Sequence, residues 1–283
     1  MKNVLIIGGG RFLGYWVGSL LSSEKFNLTF FNRGSSYNKE ISGSTYILGN
    51  RNEKSAINFF SQNKFDVVID MCAYKPSDLI YSKLLQCDQY IYISSVAVYS
   101  PKVPKNSDEG GLKIISNPNF SSYGFESDYN YGELKYLTEL NLLQLLQRTL
   151  IIRPAIMLGK FDYTNRLSRY LSNSPIYIPL PRLQDMPFQY IDVLDVANFI
   201  VGAIKQDLSG VFNLASDSIS RDEFFSIFAK VQGRKIIESD SKNLSDFPLH
   251  EHEIFSNIRT ISSNLAKSFG LKFTSVQKTV SHY

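Results

Sequence analysis

The feature that most restricts the fold is a glycine-rich turn set directly behind a short β-branched run. Val4-Leu5-Ile6-Ile7 leads into Gly8-Gly9-Gly10-Arg11-Phe12-Leu13-Gly14, and a helical stretch is expected over Phe12 to Leu21. A strand that turns this tightly into a helix aims backbone N–H groups and the helix N-terminus at one point, and glycine lets an anion come close. Any tight turn accepts glycine, so the motif takes its meaning from its place on the first strand of an alternating chain. That alternation is present. Leu28 to Phe31, Val67 to Ile69, Tyr90 to Ser94 and Leu150 to Ile152 read as buried strands, with spacers long enough for crossover helices. Such a pattern predicts a parallel sheet wound right-handedly. Ser100 to Asn130, with its prolines and Gly110-Gly111, reads as one long loop, a length that is commonly functional.

After Arg153-Pro154 the pattern is less regular, and Pro175, Pro179, Pro181 and Pro187 break it up. Phe188 to Val193 is strand-like, Asp195 to Lys205 helical, Val211 to Leu214 a short strand, and Arg221 to Val231 a helix with Ser220 as N-cap. The expected architecture is α/β: a Rossmann-type, doubly wound parallel sheet with a smaller, mixed C-terminal substrate lobe. Residues 1–155 would form the nucleotide-binding domain and 187–213 would return to it, leaving 156–186 and 214–283 for the lobe.

Charge and composition exclude several classes. Lys plus Arg is 30 and Asp plus Glu 26, a net charge of +4, with no dense basic stretch to argue for nucleic acid or an anionic membrane. Cys72 and Cys87 are too few for a disulfide framework or a four-cysteine zinc site. His250-Glu251-His252 lacks a third ligand at a fitting spacing, so no metal is expected. No apolar run reaches the ~18 residues of a membrane span. Four apolar residues before the glycines are too few for a signal peptide, so a cytoplasmic protein is expected.

The turn predicts a dinucleotide held by Gly8, Gly10, Arg11, Phe12, Leu13 and Gly14. Phe30-Phe31-Asn32-Arg33-Gly34 ends the second strand, where an NAD site would carry an acidic side chain for the ribose 2′-hydroxyl. Asn32 removes that charge, and Arg33 offers a guanidinium suited to a 2′-phosphate, with Arg11 reaching it from the other side. This favours NADP over NAD. Asn50, with Cys72 and Ala73 of the run Asp70 to Tyr74, completes the expected cofactor wall. Cys72 reads as a packed small residue, since no histidine is near it in sequence.

These residues carry a resemblance. Gly-Gly-x-Arg-Phe-Leu-Gly followed by Phe-Asn-Arg-Gly resembles the extended and atypical short-chain dehydrogenase/reductases, the NAD(P)-dependent epimerase/dehydratase family. Gly8 and Gly14 match the outer glycines of the usual Gly-x-x-Gly-x-x-Gly. Arg11 replaces the middle one, as in the branch of chloroplast stem-loop RNA-binding proteins and bacterial reductase-like proteins.

Tyr131-Gly132-Glu133-Leu134-Lys135 is a Tyr-x-x-x-Lys arrangement, whose i and i+4 positions share a helix face. An ammonium there favours the phenolate, so the tyrosine can exchange a proton with a substrate hydroxyl. With 17 tyrosines and 19 lysines in 283 residues, about one such pair arises by chance. Position gives it weight: it opens a leucine-rich helix running to Leu146, after the long loop, as the family requires. Tyr123 and Tyr129 lack the lysine and read as loop or pocket residues. The resemblance implies Ser95, four residues before Tyr99, as the group that orients the reacting oxygen. Ser95, Tyr131 and Lys135 would be the catalytic set, with Lys135 also holding the nicotinamide ribose and Ser94 a backbone-supporting neighbour. Val96 and Ala97 stand where 4,6-dehydratases carry an Asp-Glu pair, which argues against that reaction.

On the substrate side the resemblance assigns Arg153 a structural place and counts Tyr74 and Val96 with the pocket. Asp162-Tyr163-Thr164-Asn165-Arg166 resembles a segment of the bacterial branch. Asp162 and Arg166 either line the pocket or Asp162 caps a solvated helix start. Phe188 and Gln189 replace the Arg-Asp that opens the next family block, so the arginine for a nucleotide-sugar diphosphate is missing and Gln189 is left to meet a substrate hydroxyl. The leading expectation is an NADP-dependent oxidoreductase or epimerase acting at a secondary alcohol or ketone of a sugar or nucleotide sugar. Two alternatives stay open: a non-catalytic NADP-sensing or RNA-binding protein, and a reductase of a non-sugar ketone. The resemblance also implies a homodimer built through helices that include the Tyr131 helix.

Overall fold

The structure is a computed structural model that describes residues 1–34, 40–80, 84–100, 102–111, 113–114, 128–145, 148–171, 176–179, 187–239 and 260–283. His250-Glu251-His252, Tyr123 and much of the Ser100 to Asn130 loop lie outside these residues. The chain runs β1 (Asn3–Ile7), α1 (Leu13–Ser23), β2 (Asn27–Asn32), β3 (Thr45–Leu48), α2 (Ser55–Gln62), β4 (Lys64–Asp70), β5 (Gln86–Ile93), α3 (Asp128–Leu145) and β6 (Thr149–Pro154). It continues through β7 (Ile156–Leu158), β8 (Ile176–Pro179), β9 (Pro187–Phe188), β10 (Tyr190–Asp192), α4 (Val193–Gln206) and β11 (Gly210–Leu214). Last come β12 (Ile219–Ser220), α5 (Arg221–Val231), β13 (Ile236–Ser239), α6 (Asn264–Ser268) and α7 (Val276–Val280).

Seven parallel strands form one sheet in the order β11-β6-β5-β4-β1-β2-β3. Both faces are covered, which is why the strands read as continuous apolar runs without alternation. Val4 and Ile6 pack with Val17 and Leu21 of α1 and Ile200 of α4, while Leu5 and Ile7 pack with Phe60 and Tyr90 on the other side. Burying each such side chain contributes about 1.5–3 kcal/mol. β3 escaped the sequence reading because it is four residues long and lies at the sheet edge, where Leu48 is exposed.

Three two-stranded pairings, β7 with β10, β9 with β12 and β8 with β13, lie apart from the main sheet. A second apolar core of Leu158, Phe188, Tyr190, Phe224, Phe225 and Phe228 packs there. The expected strand over Phe188 to Val193 is instead broken at Gln189 into β9 and β10, which pair with different partners. α4 begins two residues earlier than expected because Asp192 caps it, accepting from the Leu194 N–H at 2.8 Å. Ser220 caps α5 as the sequence implied, accepting from the Glu223 N–H at 3.1 Å. Among the described residues no helix is long and apolar enough to cross a membrane.

Strand order reverses between β1 and β4, which opens a crevice at the carboxyl ends of those strands. One wall of it is held by a buried ion pair. Asp70, at the end of β4, accepts from Arg51 Nη1 at 2.6 Å, from the Tyr90 hydroxyl at 2.5 Å and from the N–H groups of Cys72 and Ala73 at 3.1 and 3.0 Å. Burial would raise the Asp70 carboxyl, but the Arg51 charge and these hydrogen bonds outweigh it and hold it below the usual carboxylate range. The stability it supplies is therefore present above about pH 4 and is lost as pH falls through its lowered folded value. Replacing Arg51 by Leu strands that carboxylate in the interior. The expected cost is about 3–5 kcal/mol, read as a shift of the urea unfolding midpoint at pH 7.

Candidate active site

The glycine turn is fixed by how little room its atoms leave. Gly8 has φ +80°, and a Cβ there would lie 2.7 Å from Cys72 Sγ, across the crevice at the end of β4. At Gly14 a Cβ would meet the Gly9 main chain at 2.3 Å. These contacts press the loop against the neighbouring segment and the helix start against the loop, a cradle only glycine can form. The helix begins at Leu13, one residue later than expected. Phe12 is its N-cap with φ +45°, a left-handed backbone held by its buried side chain. No side chain caps α1 and no acidic residue stands in its first turn, so its positive end is left for an anion. Gly10 and Arg11 are partly exposed at the turn. This arrangement fits a dinucleotide pyrophosphate.

At the end of β2, Asn32 Oδ1 accepts from the Gly34 N–H at 3.0 Å, and Arg33 is exposed. Asn50 is tied to its own turn, donating to Glu53 Oε1 at 3.1 Å and accepting from the Asn52 N–H at 3.2 Å. Cys72 packs under Gly8, and burial, with the nearby Asp70 charge, pushes its thiol up, which suits a packed residue and not a nucleophile.

Lys135 sits at the centre of the site. Its side chain is buried, and Nζ donates to the Ala73 carbonyl at 2.9 Å and the Ile93 carbonyl at 2.8 Å, beyond β4 and at the end of β5. An ammonium has three donors, and the third has no protein partner among the described residues. Burial pulls the ammonium down to about 8, against the raising influence of Asp70, Cys72 and Glu139. The Tyr131 ring lies 5.8 Å away on the preceding helical turn. Burial first, and the Tyr74 phenol next, push the Tyr131 phenol above its ordinary value, while the Ser95 hydroxyl and the Arg166 charge pull it down. Ser95 also caps the short helical turn Val96–Val98 by accepting from the Ala97 N–H at 3.1 Å, so Val96 and Ala97 follow it directly along the wall.

Two supports were not anticipated. Gly132 lies so close to that turn that a Cβ would stand 2.1 Å from the Ala97 carbonyl oxygen, which brings the start of α3 down onto Ser95. Glu139 is buried one turn beyond Lys135. It accepts from Ser94 Oγ at 2.5 Å and pairs with Arg153 Nη2 at 2.5 Å, while Arg153 Nη1 reaches the Tyr99 hydroxyl at 2.9 Å. Ser94 thus supports a carboxylate, not the main chain, and Arg153 is structural. Tyr131, Lys135 and Glu139 follow one helix face at steps of four, a spacing that would have revealed Glu139.

The remaining expected residues divide into two groups. Tyr74 is 39% exposed, and its ring lies 6.3 Å from that of Tyr131. Burial, followed by the Tyr163 phenol and Cys72, pushes the Tyr74 phenol up to about 12, against the pull of Arg11 and Arg33. Asp162 is buried and caps a turn, not a solvated helix start. It accepts from the Thr164 N–H at 3.0 Å and from Arg166 Nη1 at 3.1 Å. Gln189 departs from expectation. Its amide nitrogen donates to the Ser216 and Ile261 carbonyls at 2.8 and 3.0 Å, and its oxygen accepts from the Ile261 N–H at 2.7 Å. Main chain engages both ends of that amide, which makes it a tie to the C-terminal segment and takes it away from a substrate hydroxyl.

A parallel doubly wound sheet with this glycine turn at the crevice is a fold the chain shares with solved epimerases, some of them in complex with NAD. The chain is similar to the UDP-glucose 4-epimerase of Thermotoga maritima, solved with UDP-glucose, at a TM-score of 0.75 and 15% identity, covering 99% of this chain and 96% of that one. Similarity extends to the Bordetella bronchiseptica enzyme WbmH in complex with NAD+ (TM-score 0.74, 14% identity, 100% and 96% covered). It also includes the UDP-glucuronic acid 4-epimerase of Bacillus cereus in complex with NAD (TM-score 0.71, 16% identity, 99% and 96% covered). In sequence, the chain is 28% identical over 165 residues to the chloroplast stem-loop binding protein of 41 kDa b of Arabidopsis thaliana, covering 48% of this chain. The match spans 44% of that relative's length. No protein-family model matches.

The buried ammonium gives a pH signature. Its folded value near 8 lies below the unfolded value of about 10.4, so between them the unfolded chain binds more protons and stability rises with pH. Wild type should therefore gain about 2–3 kcal/mol on Lys135→Met between pH 7 and pH 10. Urea unfolding of both proteins at the two pH values measures it.

Proposed function

We propose that the chain is an NADP-dependent oxidoreductase or epimerase acting at a secondary alcohol or ketone of a sugar or nucleotide sugar. The carrying observation is the buried Lys135 ammonium, seated on the Ala73 and Ile93 carbonyls with the Tyr131 ring 5.8 Å away on the same helix face. Gly8, Gly10, Phe12, Leu13 and Gly14 would hold the dinucleotide pyrophosphate, Cys72 and Ala73 its adenosine side, and Arg33 the 2′-phosphate, since the Arg11 guanidinium lies on the Tyr163 ring. A bound nicotinamide supplies the hydride acceptor or donor.

The protein's own chemistry is proton transfer. Tyr131 takes the proton from the substrate hydroxyl, or returns it to the carbonyl oxygen, at its own phenolic oxygen. Lys135 favours the phenolate by its charge and keeps one N–H to meet the nicotinamide ribose. Ser95 donates to the reacting oxygen and fixes its direction, and Val96 and Ala97, without acidic groups, leave this reaction free of a dehydration step. The epimerases among the similar structures support this reading.

A second reading, RNA hairpin binding without catalysis, is favoured by the stem-loop-binding relative. The modest +4 charge weighs against it. Mass spectrometry of small molecules released on denaturing the gently purified protein separates the two. NADP(H) is expected. If no dinucleotide is released and neither added NADPH nor NADH binds, while RNA is retained with a steep salt dependence, the second reading replaces the first. With the nucleotide sugar found beside the cofactor as substrate, Tyr131→Phe should lose about 10²–10⁴-fold in kcat with cofactor affinity kept.

A further inference from the structure

Two guanidinium groups, those of Arg166 and Arg11, are held in place around the segment that follows β7. The segment 159–166, behind β7, is fastened to α1 by aromatic contacts. Trp16 stacks on Phe161 at 5.6 Å, Tyr15 meets Phe161 edge-on at 5.1 Å, and Trp16 Nε1 donates to the Lys160 carbonyl at 3.2 Å. Positive φ at Phe161 (+72°) and Asn165 (+56°) folds the segment back on itself. Tyr163 then stands against the glycine turn, with the Arg11 guanidinium carbon 4.1 Å from its ring centre. Three residues on, Arg166 Nη1 donates to Asp162 Oδ1 at 3.1 Å and to Thr164 Oγ1 at 2.6 Å.

That anchorage uses one nitrogen. Nε and Nη2 of Arg166 have no protein partner among the described residues, although only 28% of its side chain is exposed. Arg11 lies over the Tyr163 ring, and its N–H groups have no hydrogen-bond partner among the described residues. A guanidinium edge presents parallel donors at the spacing of two oxygens of one phosphate, and a stacked face removes the freedom that binding would otherwise have to freeze out.

We propose that Arg166 and Arg11, set about Tyr163, form a binding site for a phosphoryl or diphosphoryl group of the substrate, with Tyr163 as the positioning residue that holds Arg11. This rests on the reading of Tyr131 as the acid/base. The Arg166 charge also pulls the Tyr131 phenol down against its burial. The site supplies from the segment 159–166 and the glycine turn the positive charge that Phe188-Gln189 does not carry.

Calorimetric titration of inorganic pyrophosphate into the full chain, NADPH-loaded and cofactor-free, tests the site, with NADPH affinity read separately by fluorescence. Arg166→Lys keeps the charge opposite Asp162 and loses the paired N–H edge, so pyrophosphate affinity should fall about tenfold in the loaded protein. NADPH affinity should stay within about twofold. Tyr163→Ala should weaken pyrophosphate by a similar factor, and Tyr163→Phe, which keeps the stacking ring, should not. Melting temperatures confirm that each variant is folded. Equal pyrophosphate affinity in wild type and Arg166→Lys, or none in wild type, overturns the site. NADPH affinity falling in step with pyrophosphate overturns it in favour of a cofactor phosphate. If wild type takes up no NADPH, the proposed function fails, while the Arg166→Lys comparison on the cofactor-free chain still decides the anion site.

Discussion

A buried ammonium that reaches two strand ends at once is the constraint on which the site depends. Parallel strands finish side by side, so the carbonyls of Ala73 and Ile93 converge on one point, and Lys135 occupies it. Burying that charge is unfavourable, and the depressed ammonium records the cost. Everything around it keeps the geometry from relaxing. Gly132 lets α3 lie against the Ala97 carbonyl, and Glu139, paired with Arg153 and bonded to Ser94, fixes the same helix one turn further on. Tyr131 is therefore carried on a helix fastened at two points on either side of the lysine.

The crevice wall opposite the glycine turn is made rigid in a different way. Asp70 binds the N–H groups of Cys72 and Ala73, so the segment that leaves β4 is fixed before it reaches Gly8 and Lys135. Arg51 keeps that carboxylate ionised in the interior. One buried ion pair thereby shapes the wall beside the glycine turn and the Ala73 carbonyl on which the lysine rests. The segment that follows β7 is built with less regular structure. Its aromatic and cationic groups, Phe161, Tyr163 and Arg166, come from a turn-rich segment anchored on α1 and on the buried Asp162.

Much of the framework was legible in the chain because it rests on short-range rules. Strands buried on both faces write continuous apolar runs, the glycine turn follows from local sterics, and Ser220 caps α5 within three residues. Four-residue steps on α3 place Tyr131 over Lys135 whatever surrounds the helix. β3 was not legible, since a four-residue edge strand with Leu48 exposed leaves almost no pattern. Gln189 was misjudged because a polar residue in a strand-like run says nothing about which distant main chain it will meet, here Ile261.

By itself, then, the sequence determined the parallel α/β plan, the glycine cradle and the pairing of a tyrosine with a lysine on one helix face, all consequences of residues a few positions apart. Tertiary structure alone decided which buried charges are compensated and by what. Arg51 finds Asp70 and Arg153 finds Glu139 across separations that no local periodicity encodes. The physical reason is range. Backbone sterics and helix geometry act between neighbours in the chain, whereas a charge taken out of water must be met by whatever group the packed fold brings beside it.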